Sequence, residues 1–177
     1  MKKIDKLSVI KKAKDENLLC RMYFKYDTNY FYYLPVAFNE KFFYGIEEDD
    51  FIADGFSIRR ISDLSKVEAR DDKCNEFLVK EKTFENINAP LINLDSWKTI
   101  FEALQKTEKY IIVEKESLDD DESEFTIGKI MKINNTSLWM KDFDAEGEWD
   151  ETIIPYRSIT SVTFQSRYVL VWAKYLD

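Results

Sequence analysis

Apolar residues recur along this chain in two rhythms, and the order in which the rhythms alternate repeats. Within "MKKIDKLSVIKKAKDEN" at the start, Ile4, Leu7 and Ile10 fall three apart, the spacing of one helical face, with lysines filling the positions between. The next stretch, "LLCRMYFKY" at 18–26, is dense in aromatic and branched residues, which favour a strand. The same succession returns later. Trp97, Ile100, Phe101 and Leu104 stand at i, i+3, i+4 and i+7 behind a cap at Asp95 or Ser96, and "KYIIVEKE" at 109–116 follows as a strand. Between the two copies, residues 80–93 show no clear period and include Pro90, which marks a linker.

Laid against itself at an offset of 95, the chain matches without gaps from residues 38–71 to residues 133–166. Phe38 falls on Ile133, Phe43 on Leu138, Ile58 on Ile153, Ile61 on Tyr156, Leu64 on Ile159 and Val67 on Val162. Identities are few, but shared apolar spacing around a shared turn-like centre indicates a repeated structural unit. Each copy reads helix, strand, turn, three strands and a short strand. The organisation expected is a first repeat at 1–79, a linker at 80–94 and a second repeat at 95–177.

Composition narrows the chemistry. The 177 residues are 45% hydrophobic, enough for a core, and include no histidine. That removes the commonest general base and metal ligand and every Ser-His or Cys-His nucleophile pair. No phosphate-cradling glycine loop can be assembled from only Gly45, Gly55, Gly128 and Gly147. Cys20 and Cys74 sit in neither a CxxC nor a zinc spacing, which suits reduced thiols. No apolar run approaches the roughly 20 residues of a membrane span, and the N-terminus lacks a signal peptide's apolar segment, so a cytoplasmic protein without membrane contact is expected.

The net charge is −8. Residues 1–90 carry 16 basic against 17 acidic side chains, and residues 91–177 carry 10 against 17. A nucleic-acid binder needs a basic surface, which this balance opposes. The exception is the N-terminal segment with Lys2, Lys3, Lys6, Lys11, Lys12 and Lys14, read here as the solvated face of a helix. The acidic run "DFDAEGEWDE" at 142–151 imitates a calcium loop through Asp142, Asp144, Glu146 and Gly147, but Ile153 stands where the closing glutamate is required. Its counterpart "EEDDFIADGF" at 47–56 has no matching ligand spacing, so both read as hairpin tips, and neither a metal nor a cofactor is expected.

"GKIMKINNTSLWM" at 128–140, with Gly128, Ile130, Ile133, Leu138 and Met140 in spaced positions, resembles the first motif of Sm-like domains. "IIPYRSITSVTF" at 153–164 and "SIRRISDLSKVEA" at 57–69 resemble the second. The resemblance implies a mainly β protein of two tandem Sm-like five-stranded small barrels, each preceded by a short α-helix. It also implies single-stranded RNA as a ligand, with Asn134, Ser137 and Arg157 at the clamp positions of the second copy. In the first copy Asn39, Phe42 and Arg60 are the counterparts, and Tyr33 replaces the glycine.

The aromatic runs "YFYYLPVAF" at 30–38 and Phe42 to Tyr44 point elsewhere. Strand residues alternate faces, so consecutive aromatics must show rings on both, and one face is left to pack on something else. That makes Tyr30, Tyr32, Phe42 and Tyr44 candidates for a partner surface, covered by the other barrel in an intramolecular pseudo-dimer or by a further subunit. Three functions follow in order of preference. The first is a non-enzymatic interaction module for a protein partner, with no catalytic residue. The second is a divergent RNA binder. The third is a metal-dependent carboxylate hydrolase using the acidic loop at 116–124.

Overall fold

The computed structural model describes residues 2–144 and 146–175, and the chain divides into two compact units, Met1–Ala89 and Pro90–Asp177. The first contains α1 (Lys3–Glu16), β1 (Leu19–Phe24), β2 (Tyr30–Phe38), β3 (Phe42–Asp49) and β4 (Ile52–Arg60). A 3-10 turn at Ile61–Asp63 then leads to β5 (Leu64–Arg70) and α2 (Lys73–Lys80). The second contains α3 (Trp97–Thr107), β6 (Ile111–Lys115), β7 (Glu124–Ile133), β8 (Ser137–Phe143), β9 (Trp149–Pro155), β10 (Ser161–Phe164) and α4 (Arg167–Tyr175). The protein is mainly β. Within the units the antiparallel strands run in the orders β5-β1-β2-β3-β4 and β10-β6-β7-β8-β9.

The repeat is visible in the ladders. Pairs Phe38↔Phe43, Ala37↔Tyr44 and Leu34↔Ile46 recur 95 residues later as Ile133↔Leu138, Lys132↔Trp139 and Lys129↔Lys141, and the bulge between Pro35 and Ala37 recurs between Ile130 and Lys132. Phe42↔Arg60 and Ile46↔Phe56 recur as Ser137↔Pro155 and Lys141↔Glu151. Across the first strand the displacement is 91, since Cys20↔Tyr33 becomes Ile111↔Gly128 and Met22↔Val67 becomes Val113↔Val162. The difference is absorbed by the longer acidic loop of the second copy.

Each leading helix buries one stripe on the first face of its sheet. In α1, Ile10 and Ala13 are fully buried against Cys20, Met22, Tyr33 and Phe43, with Leu7 and Val9 packed at the margin. Ile4, expected to point inward, is 80% exposed, and the buried stripe of α1 is confined to Ile10 and Ala13. Asn17 ends α1 in the left-handed region, φ 52°, where an asparagine is tolerated, and its N–H bonds back into the last turn. In α3, Ser96 and Thr99 form a reciprocal capping box, and Trp97, Ile100, Phe101 and Leu104 are buried as their spacing predicts.

Two small closed barrels do not form. The outermost strands of each order, β4 with β5 and β9 with β10, are not neighbours, and each sheet stays open. The chain after the last strand supplies the reason. It turns into a helix that was not foreseen, and this helix covers the second face of the sheet in place of closure. In the second unit Val169 of α4 is buried among Tyr110, Ile112, Ile127 and Phe143, with Trp172 and Ala173 packed against the same layer. No described helix is long and apolar enough to cross a membrane.

Candidate functional site

The second face distinguishes the two copies. The apolar layer under α4 consists of Tyr110, Ile112, Ile127, Phe143, Val169, Trp172 and Ala173. The repeat displacements place Leu19, Arg21, Tyr32, Glu48, Cys74, Phe77 and Leu78 at those positions in the first unit. A layer that is apolar and sealed in the second unit is thus interrupted by Arg21, Tyr32 and Glu48 in the first, and its helix is less buried: Val169 is 3% exposed, while Cys74 is exposed and Phe77 is 45% exposed. Leu78 alone is buried from α2, which is held by Asn75 accepting the Leu19 N–H at 3.1 Å. Where the second unit is filled, the first holds a cleft of about 550 Å³.

The floor of this cleft is Leu19 with Tyr30, Phe31 and Tyr32 of β2. One wall is the start of α2, with Arg70, Asp72, Cys74 and Leu78. The other is the β3–β4 hairpin, which contributes Glu47, Glu48, Asp49, Asp50, Phe51 and Asp54. That hairpin turns through only Asp50 and Phe51, both left-handed at φ 47° and 66°, between the paired Asp49 and Ile52. The geometry is the mirror-image turn that suits a twisted hairpin, but an aromatic at that φ is strained. Glu48 holds it by accepting the Phe51 N–H at 2.6 Å, and Thr83 donates to the Phe51 carbonyl at 3.1 Å.

The electrostatics are uneven. Against the floor tyrosines, the Arg21 guanidinium donates to the Tyr32 hydroxyl at 2.7 Å and lies 4.5 Å from the Tyr30 ring centre and 5.4 Å from that of Tyr32. Arg70 is paired with Asp72, and Lys66 with Glu68 at 2.6 Å. The hairpin wall carries only carboxylates. Burial pushes the Glu48 carboxyl up from its ordinary value; the bond from the Phe51 N–H opposes the rise, and Asp49 and Asp50 add to it. Burial also raises the Tyr32 phenol, against the pull of Arg21.

The residues singled out from sequence divide. Tyr30, 46% exposed, and the half-buried Tyr32 lie in the cleft. Phe42 and Tyr44, proposed with them as partner-binding, are core residues at 5% and 1% exposure. Tyr44 packs its ring 5.7 Å from Phe56 on a strand flanked on both sides by neighbours, so neither ring is available. Asn134 and Ser137 meet at the β7–β8 turn, side chain to side chain at 3.2 Å. Tyr156, beside the exposed Arg157, donates to the Asn134 carbonyl at 2.9 Å, and burial with the nearby Glu102 pushes its phenol up to about 12. In the first unit Asn39 is engaged by the Lys41 and Phe42 N–H groups, and Arg60 by the buried Asp63 at 2.6 Å. The calcium-like run contains Ala145, which lies outside the described residues; Asp144 accepts the Glu148 N–H at 2.9 Å within a hairpin loop. Among the described residues no group of three or more Cys, Asp or Glu is arranged to hold a metal ion.

Cys74, Arg70 and the α2 wall were not anticipated. Their signal lay in the repeat alignment, where a polar residue falls on an apolar one at three consecutive layer positions: Arg21 on Ile112, Tyr32 on Ile127, Glu48 on Phe143. No family model, curated protein or solved structure matches the chain.

Proposed function

We propose that this protein is a non-enzymatic interaction module, built from two helix-led five-stranded repeats that resemble Sm-like domains, and that its first repeat engages a protein partner through the cleft beside Tyr30 and Tyr32. One observation carries the reading: the position that the second repeat seals with its own side chains is open and polar in the first. A fold does not give up a buried apolar layer without losing stability, so an open copy beside a sealed one marks a surface kept for something else. Tyr30 and Phe51 present rings that are each 46% exposed, and rigid aromatic rings anchor protein interfaces at low entropic cost. The tagged full chain should recover a partner from extracts of its source, with recovery falling on Tyr30→Ala and Tyr32→Ala and unchanged on Arg157→Ala. Equal recovery by all three variants would remove the cleft from the interaction.

RNA is the second reading, supported by the convergence of Asn134, Ser137 and the Tyr156–Arg157 pair at one end of the second repeat. It predicts salt-sensitive anisotropy changes with labelled oligo-U that disappear on Arg157→Ala. Binding that survives the substitution would place any RNA site elsewhere.

A further inference from the structure

The wall chemistry of the first-repeat cleft specifies what kind of partner segment it can take. Among the residues lining it, Glu47, Glu48, Asp49, Asp50, Asp54 and Asp72 are acidic and Arg70 is basic. Arg70 and Asp72 are paired with each other, and every ionisable lining residue of the hairpin wall is acidic. Facing them are the rings of Tyr30 and Tyr32, over which Arg21 already lies, with Phe51 at the rim; the Phe31 ring turns to the other face, against Phe24 and Tyr33.

An anionic ligand would meet like charge along one entire wall. An uncharged apolar ligand would desolvate that acidic wall without offering it a counter-charge, which is unfavourable. A cation with an apolar stem meets neither objection, because its methylenes can lie along the rings and Leu78 while its head reaches the carboxylates. The rings already show this mode: Arg21 holds its guanidinium 4.5 Å from the Tyr30 ring centre. The volume of about 550 Å³ exceeds what one side chain fills, so a short stretch of chain fits.

We infer that the cleft receives an arginine or lysine side chain from a basic segment of the partner, seated between the β2 rings and the hairpin carboxylates. This inference rests on the interaction-module reading and gives it a chemistry. It also accounts for the polar replacements: Glu48 stands where Phe143 seals the second repeat, and Tyr32 where Ile127 does. Those positions supply a cation's counter-charge and stacking surface in place of an apolar seal.

The test uses the isotope-labelled full chain in NMR titrations at near-physiological salt, with four probes: hexa-arginine, hexa-glutamate, a neutral Gly-Ser hexapeptide and spermidine. Two charge-matched triple variants accompany the wild type. One is Glu47→Gln, Glu48→Gln and Asp49→Asn; the other, in the acidic loop of the second repeat, is Asp119→Asn, Asp121→Asn and Glu122→Gln. The expected result is saturable shifts at Tyr30 to Tyr32 and Glu47 to Phe51 with hexa-arginine, a Kd raised about tenfold or more in the cleft variant, and no change in the loop variant. Equal weakening in both variants would mean diffuse attraction to an acidic protein and would overturn the inference. Cleft binding by the neutral or acidic peptide as tight as by hexa-arginine would overturn the cation while leaving a protein-binding cleft. Spermidine binding the cleft as tightly as hexa-arginine would overturn the peptide source. Cleft amides silent to every probe would overturn the inference and the interaction-module reading together.

Discussion

If the second-face layers of the two repeats are equivalent, exchanging their chemistry at one position should have opposite outcomes. Phe143, 6% exposed, lies 4.9 Å from the Trp172 ring centre, 5.2 Å from Trp149 and 6.1 Å from Tyr110. Phe143→Glu forfeits the burial of an aromatic side chain, about 2–3 kcal/mol. It also leaves a carboxyl in an apolar layer, which adds at least about 2 kcal/mol even when the group stays protonated. The sum of about 4–5 kcal/mol rivals the whole stability of a small domain. Glu48→Phe in the first repeat loses the bond to the Phe51 N–H, about 1 kcal/mol, and gains partial burial of a ring, about 1–2 kcal/mol, so it should fall within about 1 kcal/mol of the parent. Denaturant unfolding measures both. Trp97, Trp139, Trp149 and Trp172 are the only tryptophans and all lie in the second unit, so fluorescence follows Phe143→Glu, while far-UV circular dichroism follows Glu48→Phe. A Phe143→Glu loss under about 1 kcal/mol, or a Glu48→Phe loss above about 3 kcal/mol, would refute the equivalence and the origin assigned to the cleft.

Further outcomes follow from single residues. Since the Glu48 carboxyl is raised in the folded protein, its contribution favours folding at acid pH and is lost as pH rises through that raised value; Glu48→Gln should therefore stabilise the protein at neutral pH and be silent in acid, as paired melting curves would show. The same titration weakens hexa-arginine binding as pH falls through the raised value of Glu48, and Glu48→Gln should flatten that dependence. Native protein should show one rapidly reacting thiol, Cys74, because Cys20 is fully buried and burial pushes its thiol up to about 12; two fast thiols in a kinetic thiol assay would contradict the packing of β1. Gly128→Ala should cost about 2 kcal/mol or more, because its methyl would collide with the Lys141 carbonyl and sit 2.7 Å from the Asp142 Cα, both backbone atoms of the neighbouring strand; an unchanged melting temperature would show that β7 and β8 can separate there.

Much of the fold was legible because it rests on local periodicity. The helical spacing of Trp97, Ile100, Phe101 and Leu104 was decisive, and the repeat offset could be read from apolar positions even where identities were absent. What escaped was tertiary. Val169, Trp172 and Ala173 do carry a helical spacing, but the resemblance to a barrel left no place for a closing helix, so the tail was passed over. Phe42 and Tyr44 looked like surface aromatics because a run of consecutive rings does not say which strand neighbours will cover them. Tyr30 and Tyr32, singled out by the same argument, line the cleft because β2 turns that face toward it. The acidic half of the site was seen only as a hairpin tip, since nothing in "EEDDFIADGF" says that a helix seventy-odd positions into the chain will stand opposite it.

The matched ladder registers also bear on how the chain avoids misfolding. The β2–β3 and β7–β8 ladders share their register and their bulge, so β2 and β3 could pair with strands of the other repeat at the same offsets. The side chains forbid it. β3 carries Glu48 where β8 carries Phe143, and β2 carries Tyr32 where β7 carries Ile127; a swapped strand would therefore bring a carboxylate beneath α4 or leave a bare phenyl ring in a wet groove. The divergence that opens the first repeat also labels each strand with the sheet to which it belongs.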